Sequence, residues 1–160
     1  MAAGVEFNQP LEMIGIIGQE NLPIVILTYP KNSTTKAFIK VKGHLNAVLI
    51  ENSSFVEIHN LDISAEVDFC NEDPDGDMSC GVLVQTTKPG NYEHIYLSNL
   101  NIHDIFHEGQ GYTRPKGEVK TANGTQSYGW GVRFMNNTEN AILSDIKIKK
   151  STVNNVAHTG

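Results

Sequence analysis

The chain has 160 residues and a formal net charge of −6, with 12 Lys and Arg against 18 Asp and Glu. That length fits one domain with a sizeable core, and the acidic balance argues against a broad nucleic-acid-binding surface. No apolar run approaches the roughly 18 residues of a membrane span, and 39% hydrophobic residues is ordinary for a folded chain.

In chain order, "EMIGIIG", "PIVILTYP" and "KAFIKVKG" are faint, short strand candidates. The opening "MAAGVEFNQPLEMIGIIG" has neither a basic n-region nor a long apolar h-region, so no signal peptide is visible. Next come "AVLIENSS" (Ala47–Ser54), "GVLVQTTK" (Gly81–Lys88) and "GVRFMNNT" (Gly131–Thr138), which align without gaps. Period-two alternation puts Val48, Val82 and Val132 on one face with Ile50, Val84 and Phe134. Leu49, Leu83 and Arg133 point the other way with Glu51, Gln85 and Met135.

Each member of that set is followed by one of a second set: "VEIHNLDIS" (Val56–Ser64), "IYLSNLNIH" (Ile95–His103) and "AILSDIKIK" (Ala141–Lys149). Read without gaps, Ile58, Leu97 and Leu143 align, as do Leu61, Leu100 and Ile146, and Ile63, Ile102 and Ile148. Asn60, Asn99 and Asp145 share the column where the alternation skips a beat, which marks a bend between two strands.

Strand, turn, strand, bend, strand, repeated, predicts an all-β chain: a right-handed parallel β-helix solenoid of about four rungs, one domain over 1–160. A β-sandwich also has many short strands, but it does not explain the recurring register. The extra length between units falls between Ser64 and Gly81 and between His103 and Gly131, so two long loops are expected at one corner. Long loops on a rigid scaffold are where function is usually placed. Gly160 falls in the column of Gly81 and Gly131, where another rung would begin. The sequence is therefore expected to be the N-terminal portion of a longer solenoid, incomplete at its C-terminus.

These same stretches, "NLPIVILTYP", "AVLIENSSFVEIHNLDIS", "HIYLSNLNIHDIFHEG", "GWGVRFMNNTENAILSDIKI" and "HTG", resemble bacterial right-handed β-helix proteins of polysaccharide-degrading systems. This is the pectate-lyase-like superfamily, and the resemblance covers nearly the whole chain. It implies a secreted or periplasmic protein acting on a polysaccharide, as polysaccharide lyase or glycoside hydrolase. The same scaffold also occurs in adhesins and phage tailspikes.

Candidate chemistry gathers at the two loops. In "EDPDGD", Asp73, Asp75 and Asp77 alternate, a spacing that can converge on Ca²⁺; the alternative is a solvated Pro-Asp-Gly turn. Cys70 and Cys80 bracket that loop, either as a disulfide or as two thiols, and two cysteines without suitable histidine spacing do not make a structural zinc site. Asp104, His107 and Glu108 begin the longer loop, Arg133 points outward on the following strand, and His158 lies just before Gly160. His107 or His158 is a candidate general base, and Glu108 or Asp104 an acid or base. Arg133 is suited to a uronate or a sulfate. The bland alternative is exposed, idle histidines and an Asp104 that caps a turn.

Tyr112, Tyr128 and Trp130, with Arg114 and Lys116, flank the same loop and suit an acidic sugar: aromatic faces cover a pyranose while cations meet its anions. The leading expectation is a carbohydrate-active enzyme for an acidic polysaccharide. A lyase would use a base such as His107 with the uronate neutralised by Arg133 or Ca²⁺. A hydrolase would use Asp104 and Glu108 as its carboxylate pair. The rival expectation is a non-catalytic carbohydrate-binding or adhesin solenoid.

Overall fold

The computed structural model describes residues 1–66, 79–106, 120–121, 124–125 and 129–156. After β1 (Glu6–Phe7), the chain winds four rungs of three strands. The first rung is β2 (Leu11–Ile14), β3 (Ile24–Leu27) and β4 (Ala37–Lys42), and the second is β5 (Asn46–Glu51), β6 (Val56–His59) and β7 (Leu61–Glu66). The third is β8 (Ser79–Thr86), β9 (Gly90–Ser98) and β10 (Asn101–Phe106). A small antiparallel ribbon, β11 (Lys120–Thr121) and β12 (Gly124–Thr125), precedes the fourth, which is β13 (Gly129–Asn136), β14 (Ala141–Lys149) and β15 (Thr152–Val156).

Equivalent strands of successive rungs pair in parallel and build three sheets: β2-β5-β8-β13, β3-β6-β9-β14 and β1-β4-β7-β10-β15. The parallel β-helix is thus the observed fold, with no helix among the described residues. Each inward column stacks on itself. Val48 faces Val82 and Val132 along the first sheet, and Ile50 faces Val84 and Phe134. In the second sheet Ile58 faces Leu97, and in the third Ile63 faces Ile102. The inward apolar side chains of rungs two and three are buried in one continuous core, which is the main stabilising term of a solenoid. In rung four Val132, Phe134, Leu143, Val153 and Val156 pack against that core but are only partly covered.

The fourth rung departs from the gapless alignment. Leu97 pairs with Ile148, not Leu143, whose partner is Tyr92. Ile102 pairs with Val153, not Ile148, and Ile146 pairs with Ile95 rather than standing above Leu61 and Leu100. The two registers differ by five residues because the solenoid has several columns of left-handed backbone. Phe55, His94 and Asp145 (φ 55°, 57° and 45°) form one column, and Asn60, Asn99 and Lys150 (φ 54°, 53° and 50°) form the next. Asp145 resembles a member of the second column because Asn and Asp tolerate this conformation best; the residue there is Lys150.

The added chain length falls where expected. Residues 67–78 and 107–128 both join the third sheet to the first, at one corner. Gly81 and Gly131 stand there for lack of space: a Cβ on Gly81 would lie 2.5 Å from Ile102 Cγ2, and one on Gly131 would lie 2.2 Å from Val153 Cγ1. Cys80, beside Gly81, is a free, buried thiol rather than half of a disulfide, and burial pushes it up to about 12. Cys70 and Gly160 lie outside the described residues.

Candidate functional site

The loop corner brings two of the expected site residues together. Trp130 and Arg133 both belong to β13, and the Arg133 guanidinium carbon lies 4.6 Å from the centre of the Trp130 indole. Three residues along a strand would ordinarily put them on opposite faces; here the indole and the guanidinium nevertheless meet. They line one cleft of about 520 Å³ with Met135, Asn136 and Asn137. The Asn137 side-chain amide is held by Gln85, to which it donates at 3.1 Å.

Asp104 lies on β10, in the third sheet, rather than in the loop. It turns the backbone at φ 53°, and its carboxylate accepts from His103 Nδ1 (2.7 Å) and from the Asn155 amide. Those two hydrogen bonds, His103 first, hold the carboxyl below the usual aspartate range. The other ring nitrogen of His103 is 3.0 Å from Asp62 Oδ1, so one imidazole sits between two carboxylates of different rungs. His107, Glu108, His158, Tyr112, Tyr128, Arg114 and Lys116 lie outside the described residues, as do Asp73, Asp75 and Asp77. Among the described residues no group of His, Cys, Asp or Glu is arranged to hold a metal ion.

A larger titratable array, not singled out in the sequence, covers the outer face of the second sheet. Ladder register stacks Glu57, Tyr96 and Lys147 in one column and His59, Ser98 and Lys149 in another. Glu57 receives two histidines: His94 Nε2 at 2.8 Å on Oε1 and His59 Nε2 at 2.8 Å on Oε2. Both hold the Glu57 carboxyl below its ordinary value, His94 more than His59, against the opposing effect of burial. The far nitrogen of His59 is 2.7 Å from Ser98 Oγ. The His94 ring stacks on Tyr96 with centroids 3.8 Å apart, and its Nδ1 is 3.6 Å from Asp145. Tyr96 donates to Asp145 and accepts from Lys147, whose ammonium is 2.9 Å from Asp145. The bond from Tyr96, then that from Lys147, holds the Asp145 carboxyl low. The signal for this array was present as Glu57-x-His59 and His94-x-Tyr96-x-Ser98: side chains two apart on a strand share a face.

Among the described residues the structure has two clefts of similar size. One is the Trp130–Arg133 cleft at the loop corner. The other, also about 520 Å³, lies at the corner between the second and third sheets. Leu27, Thr28, Lys31, His59, Asn60 and Ser98 contribute to its lining.

The chain matches no protein-family model and no curated protein sequence. Among solved structures it is similar to the GH136 lacto-N-biosidase from Eubacterium ramulus, in both the native and the selenomethionine crystals. Identity is 20% with a TM-score of 0.58, over 93% of this chain and 28% of that one. An alginate lyase from Paenibacillus sp. str. FPU-7 aligns at 14% identity and a TM-score of 0.38, over 99% of this chain and 60% of that one, too loose a likeness to argue from. The biosidase likeness establishes a shared fold, and the chain spans little more than a quarter of that protein's length.

Proposed function

We propose that the chain is part of a secreted or periplasmic carbohydrate-active enzyme, a polysaccharide lyase or glycoside hydrolase, that holds an acidic saccharide at the loop corner. The observation that carries this reading is the Trp130–Arg133 pair in one cleft, at the corner where both long segments leave and rejoin the solenoid. An indole face suits the apolar side of a pyranose, and a guanidinium suits a uronate carboxylate or sulfate. The fold shared with a glycoside hydrolase supports it by analogy.

In this reading His107 or His158 is the base, Tyr112, Tyr128, Arg114 and Lys116 extend the sugar site, and Asp73, Asp75 and Asp77 bring Ca²⁺ to the same corner. Asp104, held ionised by its neighbours, acts as a base or an anchor; a hydrolase's acid needs a raised value, so that role falls to Glu108. The test is a panel of acidic glycans incubated with the protein, followed by ultraviolet absorbance of unsaturated product and by reducing ends. Unsaturation marks a lyase and reducing ends alone mark a hydrolase. Binding that Arg133→Ala weakens, without turnover, marks the non-catalytic alternative. The absence of both binding and turnover overturns the reading.

A further inference from the structure

The second cleft carries an arrangement independent of the loop corner. Ser98, His59 and Glu57 are joined in series: Ser98 Oγ is 2.7 Å from His59 Nδ1, and His59 Nε2 is 2.8 Å from Glu57 Oε2. Ser98 and His59 are direct partners in the β6–β9 ladder, and both line the cleft at the corner of the second and third sheets. We propose that these three residues form a hydrolytic triad that cleaves a small O-acyl ester entering that cleft.

The bonding fixes the state that the chemistry needs. Glu57 accepts the Nε2 proton, so Nδ1 carries the lone pair facing Ser98. Glu57 is in turn anchored on its other oxygen by His94 Nε2 at 2.8 Å, which makes His94 a positioning residue. The three members come from adjacent rungs of one sheet, so their spacing is set by the ladder rather than by a loop. Asn60, which lines the same cleft, is the group assigned as oxyanion donor. Asn60 Oδ1 accepts from Asn99 Nδ2 at 2.9 Å, which orients the amide, and Asn60 Nδ2 donates to no other group among the described residues. Lys31 lines the same cleft.

The steps balance. Ser98 Oγ attacks the ester carbonyl carbon while its proton passes to His59 Nδ1. The carbon–alkoxy bond then breaks, and the alcohol leaves with that proton. Water attacks the acyl-serine, gives its proton to His59, and the carboxylic acid departs as Ser98 recovers the proton. Ester and water become alcohol and acid, with no further reactant. The cleft is lined largely by polar side chains, which fits a short acyl group on a hydroxylated alcohol.

The first experiment treats the intact chain with a fluorophosphonate and maps the adduct by mass spectrometry. A phosphonylated Ser98 is expected; a chain unmodified at Ser98 overturns the triad. The second follows hydrolysis of p-nitrophenyl acetate. Ser98→Ala and His59→Asn should each lower the rate by about 100-fold or more, and Glu57→Gln by at least about tenfold. Ser98→Ala at the wild-type rate would show that the ester is cleaved elsewhere and would overturn it. Both readouts are independent of the saccharide panel, so an inert glycan response and an inert Ser98 are separate results.

Discussion

The two corners that bound the third sheet solve the same problem in opposite ways. Where the second sheet meets the third, rungs two and three turn through one or two residues, and Asn60 and Asn99 bear the left-handed backbone. Their side chains stack, Asn99 donating to Asn60 at 2.9 Å. Where the third sheet returns to the first, the same rungs add residues 67–78 and 107–128, and glycines pack against the third-sheet core. The tight corner fixes side chains by ladder spacing and so keeps Ser98 beside His59. The open corner gains chain length for loops, while Trp130 and Arg133 stay on the rigid strand below. A solenoid can thus carry two kinds of site, one set by register and one set by insertion.

The largest expected effect breaks the open corner. In Gly81→Ala the new Cβ would meet Ile102 Cγ2 at 2.5 Å and the Gly131 carbonyl oxygen at 2.7 Å. A backbone atom cannot step aside, so a loss of about 3 kcal/mol in urea unfolding is expected. In Gly131→Ala the nearest atoms to the new Cβ all belong to the Val153 side chain, in a partly covered rung, and the cost should be smaller. The reverse order would mean that Gly81 is not held between the third sheet and its own ladder partner.

At the tight corner, Asn99→Ala removes a ladder hydrogen bond and puts a less tolerant residue at φ 53°. A cost of about 1–2 kcal/mol is expected. Asn99→Gly keeps the backbone and loses only the bond, so it should fall below Asn99→Ala. Equal costs would assign the whole effect to the side-chain ladder.

Acid should weaken the faces beside both corners. Glu57 and Asp104 are held below their ordinary values of 4.5 and 3.8. A lowered carboxylate stabilises the fold above its unfolded value, and that contribution is lost as pH falls through the folded one. The urea midpoint should therefore fall on acidification below about 4.5. Glu57→Gln and Asp104→Asn should each flatten the acid limb while lowering the midpoint at neutral pH. An unchanged limb in both variants would mean that these two contacts do not set the acid response.

The inward columns Val48–Val82–Val132 and Ile50–Val84–Phe134 were legible because alternation survives along a strand buried on one face. The loop corner was legible because insertions lengthen the repeat. Trp130 and Arg133 could be named as neighbours of that corner, though strand alternation puts them on opposite faces and does not show their contact. The Glu57, His59, His94 and Ser98 array was not assembled, because its bonds run between rungs some forty residues apart. Linear spacing shows which face a side chain takes, and only the pairing of one rung on the next shows what it touches. The fourth rung failed for a related reason: a left-handed bend can be filled by lysine when the fold pays for it, and Lys150 carries no turn signal.

That exception gives the smallest and most specific prediction. Lys150 stands above Asn99 in the bend column, at φ 50°. In Lys150→Asn the new residue tolerates this backbone better, and its carboxamide is placed to continue the ladder from Asn60 and Asn99. A gain of about 0.5–1 kcal/mol is expected in urea unfolding. Asp145→Asn, by contrast, should bring no gain. Asp145 stands in the column of Phe55 and His94, and its carboxylate answers Lys147 at 2.9 Å and the Tyr96 hydroxyl. Neutralising it removes a charge partner and leaves an already tolerant side chain in place. Were Asp145→Asn stabilising and Lys150→Asn neutral, Asp145 would belong above Asn99 after all, and the fourth rung would have to be rewound by five residues.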